Sequence, residues 1–185
     1  LNRLSKISIP NILTVARILL TPLFLIVLLR RNYPQALGVF VAAGLSDGLD
    51  GFIARCFNQR TVLGAYLDPV ADKLLLVSAF VALAILEVVP SWVAVIVIAR
   101  DVIIFLGIAI FALTEKKYEV RPTIVSKCTT LAQILLVILA LCDPTRVKLT
   151  MLDPIVLWAA AILTILSGLH YIYIGMTILQ DNNSA

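Results

Sequence analysis

The stretch that decides the fold is Ser46–Lys73, SDGLDGFIARCFNQRTVLGAYLDPVADK. It sets Asp47, Asp50, Asp68 and Asp72 in one short block of a chain that is otherwise mostly hydrocarbon. On a helix, at about 100° per residue, Asp47 and Asp50 lie roughly 60° apart, with Gly51 and Ala54 on the same face and Arg55 at its edge. The same construction puts Gly64, Asp68, Ala71 and Asp72 within roughly 100° of one another, with Lys73 turned away. Two helices therefore each offer a carboxylate pair beside a strip of small side chains.

The surroundings make those carboxylates costly. Of 185 residues, 61% are hydrophobic and 14% charged, and the mean hydropathy of +1.04 belongs to the membrane class. That length has room for about six apolar helices of some twenty residues. A charge near the bilayer centre costs about 2.5–3.5 kcal/mol on insertion scales, so several aspartates need compensation. Arg55 and Lys73 offset part. Four converging carboxylates carry about four negative charges, which two divalent cations would neutralise. All-oxygen ligation favours Mg²⁺, Mn²⁺ or Ca²⁺ over zinc or copper. The plainer alternative is that the aspartates pair with basic residues and hold helices together.

The rest of the chain reads as an all-α integral membrane protein, a six-transmembrane-helix bundle. Residues 1–9 suit a short interfacial segment carrying Arg3 and Lys6, and residues 10–181 form a single domain without repeat or linker. The first span, Asn11–Leu29, carries Asn11, Thr14 and Arg17 as a polar stripe, or else Arg17 snorkels to the interface. The second runs from Pro34 to about Arg55 and the third from Val62 to about Glu87, which puts both aspartate pairs at one side of the membrane. Pro69 is placed to kink the third helix beside Asp68. The fourth span, Pro90 to about Leu113, is interrupted by Arg100-Asp101, either a self-compensating lock or part of a polar cavity. A charged loop over 114–122 precedes the fifth span, Thr123–Cys142, whose Ser126, Lys127, Thr130 and Gln133 share a face. Pro154 opens the sixth, in which His170, Tyr171 and Tyr173 read as interfacial aromatics rather than ligands. The scattered Cys56, Cys128 and Cys142 read as small apolar packers. Lys and Arg are more numerous in the flanks on the aspartate side, so that side is expected to be cytoplasmic, with both termini.

The pattern Asp47-x2-Asp50-Gly51-x2-Ala54-Arg55-x8-Gly64-x3-Asp68-x3-Asp72 resembles, without a departure, the signature of the CDP-alcohol phosphotransferases. The likeness extends to the opening Pro10-Asn11-Ile12-Leu13-Thr14-x2-Arg17 and to Ser126-Lys127-x2-Thr130-x2-Gln133. The resemblance implies a membrane enzyme that uses two Mg²⁺ or Mn²⁺ ions, takes CDP-diacylglycerol as donor and releases CMP. Asp47, Asp50, Asp68 and Asp72 would hold the metals, with Asp72 also the general base toward the acceptor hydroxyl. Asp47, Gly51, Ala54 and Gly64 would line the CDP donor, with Thr14, Arg17 and Arg55 on nucleotide and phosphate oxygens. The Arg100-Asp101 pair matches an Arg-acid pair in the resembled enzymes, which favours the cavity. A bacterial inner-membrane location and a homodimer follow from the same likeness, and no nucleic-acid partner is expected.

Arg100, Arg121 and Lys127 are cations available for a second anion site beside the metals, which suggests an acceptor that itself bears phosphate. Within the resembled family, glycerol 3-phosphate and phosphatidylglycerol are such acceptors. The segment Arg121–Lys127 looks closer to the cardiolipin synthases, and the chain lacks the second arginine that follows the fourth-span pair in the bacterial glycerol-phosphate enzymes. The expected acceptor is therefore a phosphoglycerol. Serine, inositol or inositol phosphate as acceptor, an intramembrane prenyltransferase and a divalent-cation carrier are the rival readings.

Overall fold

The computed structural model describes the backbone of residues 9–57, 62–113, 123–142 and 152–181, and the side chains of 16–46, 73–107, 123–142 and 155–177. These residues form helices and their connecting turns, with no strand among them: α1 (Ile9–Leu29), α2 (Tyr33–Phe57), α3 (Val62–Ile85), α4 (Ser91–Leu113), α5 (Ile124–Cys142) and α6 (Leu152–Asp181). Expected spans and observed helices agree to within a few residues. Residues 1–8 of the expected interfacial segment lie outside the described residues. Two compact units contain the helices, Leu1–Leu86 and Glu87–Ala185.

In the first unit α1 packs against both α2 and α3. Arg17, Phe24 and Leu28 of α1 are buried, as are Ala36, Phe40 and Ala43 of α2 and Leu76, Phe80 and Leu83 of α3. The Phe24 and Phe40 rings sit 5.6 Å apart at 46°. Pro22 lies inside α1 and removes one donor from its ladder. The α1–α2 reversal takes three residues. Arg31 adopts a left-handed φ of 58°, its N–H donates to Leu28 O (2.8 Å) and the Asn32 N–H to Val27 O (3.3 Å). This is the Schellman closure of a helix C-terminus. Asn32 then serves the next helix, its Oδ1 accepting from the Gln35 N–H (3.4 Å) as an N-cap. A connection this tight lays α2 antiparallel to α1.

In the second unit α6 packs against both α4 and α5. Trp92 lies against Trp158, with ring centroids 5.4 Å apart and planes tilted at 40°, and further along the same two helices Arg100 meets Ser167, so α4 and α6 run parallel. Ser126 of α5 and Ser167 of α6 both accept from Arg100 Nη2, and seven residues further along α5 Gln133 Nε2 donates to Thr164 Oγ1, three residues back along α6; between them Thr129 Oγ1 donates to Leu163 O. Thus α5 is antiparallel to α6. Ala160, Thr164 and Gly168 recur at four-residue spacing on α6, and such small residues let helix backbones approach closely. Thr123, the expected start of the fifth span, is its N-cap instead, its Oγ1 accepting from the Ser126 N–H (3.2 Å).

Ile124–Cys142 and Ile155–Thr177 are long and apolar enough to cross a membrane. Large apolar side chains such as Leu19, Phe105, Leu131 and Ile165 face outward, as do both described cysteines, Cys128 and Cys142. Those cysteines are therefore not core packers within their unit.

Candidate active site

The aspartate block straddles the junction of α2 and α3. Asp47 precedes the end of α2, Phe57, by ten residues, and Asp72 follows the start of α3, Val62, by ten; Asp50 and Asp68 stand seven and six residues from the same ends. At 1.5 Å per residue, the outer pair lies ~15 Å from the junction and the inner pair ~10 Å. The two helices touch, and the short connection between them is of the kind that makes an antiparallel hairpin. Asp47 then comes level with Asp72, and Asp50 with Asp68. Carboxylates as a residue type suit hard divalent cations rather than zinc or copper. The side chains of Thr14, Asp47, Asp50, Gly51, Ala54, Arg55, Gly64, Asp68 and Asp72 lie outside the described residues, as does the whole of Arg121.

Arg17, from the expected nucleotide stripe, stands on α1, the helix that packs on both aspartate helices. Its side chain is 0% exposed. It does not reach out to an interface as a snorkelling arginine would. A guanidinium withdrawn from solvent is a strong anchor for anionic groups, because its charge is little screened and its planar fork matches a carboxylate or phosphate.

The second unit holds a polar cluster around Arg100, which is 3% exposed. Nη1 donates to Asp101 Oδ1 at 2.6 Å, forming an ion pair with a carboxylate whose side chain is 10% exposed. Nε and Nη2 both donate to Ser167 Oγ, at 3.3 and 3.2 Å, and Nη2 also donates to Ser126 Oγ at 2.5 Å. The guanidinium carbon lies 6.0 Å from the Tyr171 ring centroid. Of the five N–H donors of an arginine, one on Nη1 is left outside these bonds.

Arg100 thus ties α4 to the first turn of α5 and to the middle of α6. Lys127, next to Ser126, is exposed, while Thr129 and Gln133 of the same helix are buried against α6. The expected polar face therefore splits: its first turn meets Arg100 and its deeper part bonds α6. α5 has 19 residues, ~28 Å, close to one hydrocarbon thickness. Arg100 is level with its first turn, so the buried charge sits near one end of a span-length helix.

Nothing in the sequence pointed to Ser167 or Gly168, and Tyr171, expected to be only an interfacial aromatic, faces the Arg100 guanidinium. A lone serine in an apolar helix carries no signal by itself; the 3–4 spacing of Thr164, Ser167 and Tyr171 was the available clue. His170, set aside as a ligand from the sequence, is exposed.

The family model for CDP-alcohol phosphatidyltransferase matches residues 7–166. A human protein named cardiolipin synthase (CMP-forming) is 34% identical over 190 residues, covering 94% of this chain and 63% of that protein. The chain therefore spans less than two thirds of that relative. A Wigglesworthia glossinidia brevipalpis protein named CDP-diacylglycerol–glycerol-3-phosphate 3-phosphatidyltransferase is 33% identical over 177 residues, covering 91% of this chain and 95% of that one. A Bacillus subtilis protein of the same name is 30% identical over 193 residues, covering 95% and 99%. With its eight signature positions intact on α2 and α3, and a family match running from α1 into α6, the chain belongs to the CDP-alcohol phosphatidyltransferase family.

Proposed function

We propose that the protein transfers a phosphatidyl group from CDP-diacylglycerol to the hydroxyl of a phosphoglycerol-bearing acceptor, glycerol 3-phosphate or phosphatidylglycerol, with release of CMP. The observation that carries this reading is the complete eight-residue signature on two successive, adjoining helices of a family member. The relatives named above support both acceptors, since one name specifies glycerol 3-phosphate and the other a cardiolipin synthase that forms CMP.

In this reading the acceptor oxygen attacks the donor phosphorus that carries diacylglycerol. The new P–O bond forms as the diphosphate bond breaks, and CMP leaves with the bridging oxygen. Asp72 takes the hydroxyl proton. Asp47, Asp50, Asp68 and Asp72 hold two divalent cations, Mg²⁺ or Mn²⁺, which when bound supply charge neutralisation for the diphosphate and its leaving group. Gly51, Ala54 and Gly64 leave the backbone bare for the cytidine, since larger side chains would fill that space. Thr14, Arg17 and Arg55 hold nucleotide and phosphate oxygens. Arg100, through its uncommitted N–H, together with Arg121 and Lys127, holds the acceptor's phosphate.

The six helices span the membrane, with the aspartate side facing the cytoplasm of a bacterial cell, and the protein is a homodimer. The outward apolar side chains support the membrane setting, because lipid tolerates them where water would not; the family likeness supports the dimer. The test is CMP release from CDP-diacylglycerol by purified protein in detergent, with each acceptor in turn. Release is expected with at least one acceptor in Mg²⁺ or Mn²⁺ and none after chelation. Failure with both acceptors in the presence of metal would sink the reading.

A further inference from the structure

We propose that Ser167, supported by Gly168 and Tyr171, is a positioning residue: it sets the pose in which Arg100 offers its remaining N–H to the acceptor's phosphate. The proposal rests on the acceptor site put forward above and concerns α6 residues just past residue 166, where the family match ends.

The geometry is that of a saddle. Ser167 Oγ accepts from both Nε and Nη2, at 3.3 and 3.2 Å, and so grips one whole edge of the guanidinium. Gly168 passes beneath the stem: a Cβ built there would lie 3.7 Å from Arg100 Cγ and 3.8 Å from Cβ. One turn further on, Tyr171 offers its ring to the cation at 6.0 Å. Ser126 takes the other Nη2 hydrogen and Asp101 one of the Nη1 hydrogens.

Arginine is a long side chain with large rotamer freedom, and its fork recognises an oxyanion only when its plane is fixed beforehand. Here four donors are spent on orientation and one remains. The position of that last donor then depends on the groups holding the others, chiefly the serine that holds two. A purely structural staple needs the same bonds but gives no reason for them to affect one substrate more than the other.

The experiment measures acceptor and donor KM and kcat in mixed micelles, using glycerol 3-phosphate and phosphatidylglycerol as the acceptor probes. Ser167→Ala is expected to raise the acceptor KM about tenfold, as expected for hydrogen bonds to a charged group. Donor KM and kcat should stay within about twofold, the pattern of lost binding to one substrate. Ser167→Thr, which keeps the hydroxyl, should recover most of the loss. Tyr171→Leu should shift acceptor KM in the same direction and supplies a second readout if Ser167→Ala does not fold. An unchanged acceptor KM, or equal rises for donor and acceptor with a lowered unfolding midpoint, overturns the proposal. Arg100→Lys separates the two layers of the argument. If it raises acceptor KM while Ser167→Ala does not, only the positioning role is wrong. If it leaves acceptor KM at the wild-type value, the acceptor-site reading itself fails and takes the proposal with it.

Discussion

Replacing Gln133 by leucine should stabilise the protein, although it deletes a hydrogen bond between two helices. Gln133 is 0% exposed. Its Nε2 donates to Thr164 Oγ1 at 3.0 Å, while Thr164 gives its own hydrogen to Ala160 O at 2.6 Å. The threonine oxygen can therefore only accept from Gln133, which fixes the amide's orientation and leaves Oε1 without a hydrogen-bond partner. Interhelical hydrogen bonds in membrane proteins average ~0.6 kcal/mol, whereas a buried polar atom left unsatisfied costs ~1–3 kcal/mol. Leucine nearly matches the volume of glutamine, so little cavity is created, and the second effect wins by about 1 kcal/mol. For a protein of this size that raises the thermal midpoint by ~2–4 °C. The assay is thermal unfolding in detergent of Gln133→Leu beside Gln133→Ala. Alanine should lower the midpoint, because it removes the same polar atoms but leaves a void. A fall of 2 °C or more in the leucine variant would refute the reasoning and show that the carbonyl has a donor, such as an ordered water.

Three further outcomes are expected. Asp72→Asn should cut kcat by about 10² or more, as for loss of a general base, with the donor KM within a few-fold of wild type; near-normal CMP release would remove the base assignment. Lys127→Ala should raise the acceptor KM several-fold and leave the donor KM alone, because Lys127 is an exposed cation next in the chain to Ser126, which accepts from Arg100; matched effects on both substrates would undo its assignment to the acceptor. Arg31→Gly should stabilise the α1–α2 hairpin by about 1 kcal/mol, since a left-handed φ costs any residue with a Cβ. An unfolding midpoint at or below wild type would show that the Arg31 side chain contributes more than its backbone conformation costs.

Helix ends were legible because their chemistry is local. Pro34 and Thr123 mark starts through ring geometry and side-chain capping, and each observed start lies within one residue of them. Among the described residues, Arg31 and Glu87 resist such a reading, both left-handed without being glycine. Nothing in either residue type announces that conformation, which is imposed by the chain having to close a helix there. The aspartate block was visible for a different reason. Charge in an apolar chain is conspicuous at any spacing, and helical periodicity then sorts it into faces.

Arg100 marks the boundary between the two kinds of knowledge. The sequence by itself determined that the chain is helical and apolar, that four aspartates stand on two successive helices, and that an Arg-Asp pair interrupts the fourth, because these follow from composition and from repeats of three and four residues. It could not determine which groups the arginine meets. Ser126 is 26 residues away and Ser167 is 67 residues away, and only the packing of α6 against α4 and α5 brings their hydroxyls to one guanidinium. Hydrogen bonds between helices depend on register and crossing geometry, which are settled when whole helix faces pack together, so no local pattern encodes them.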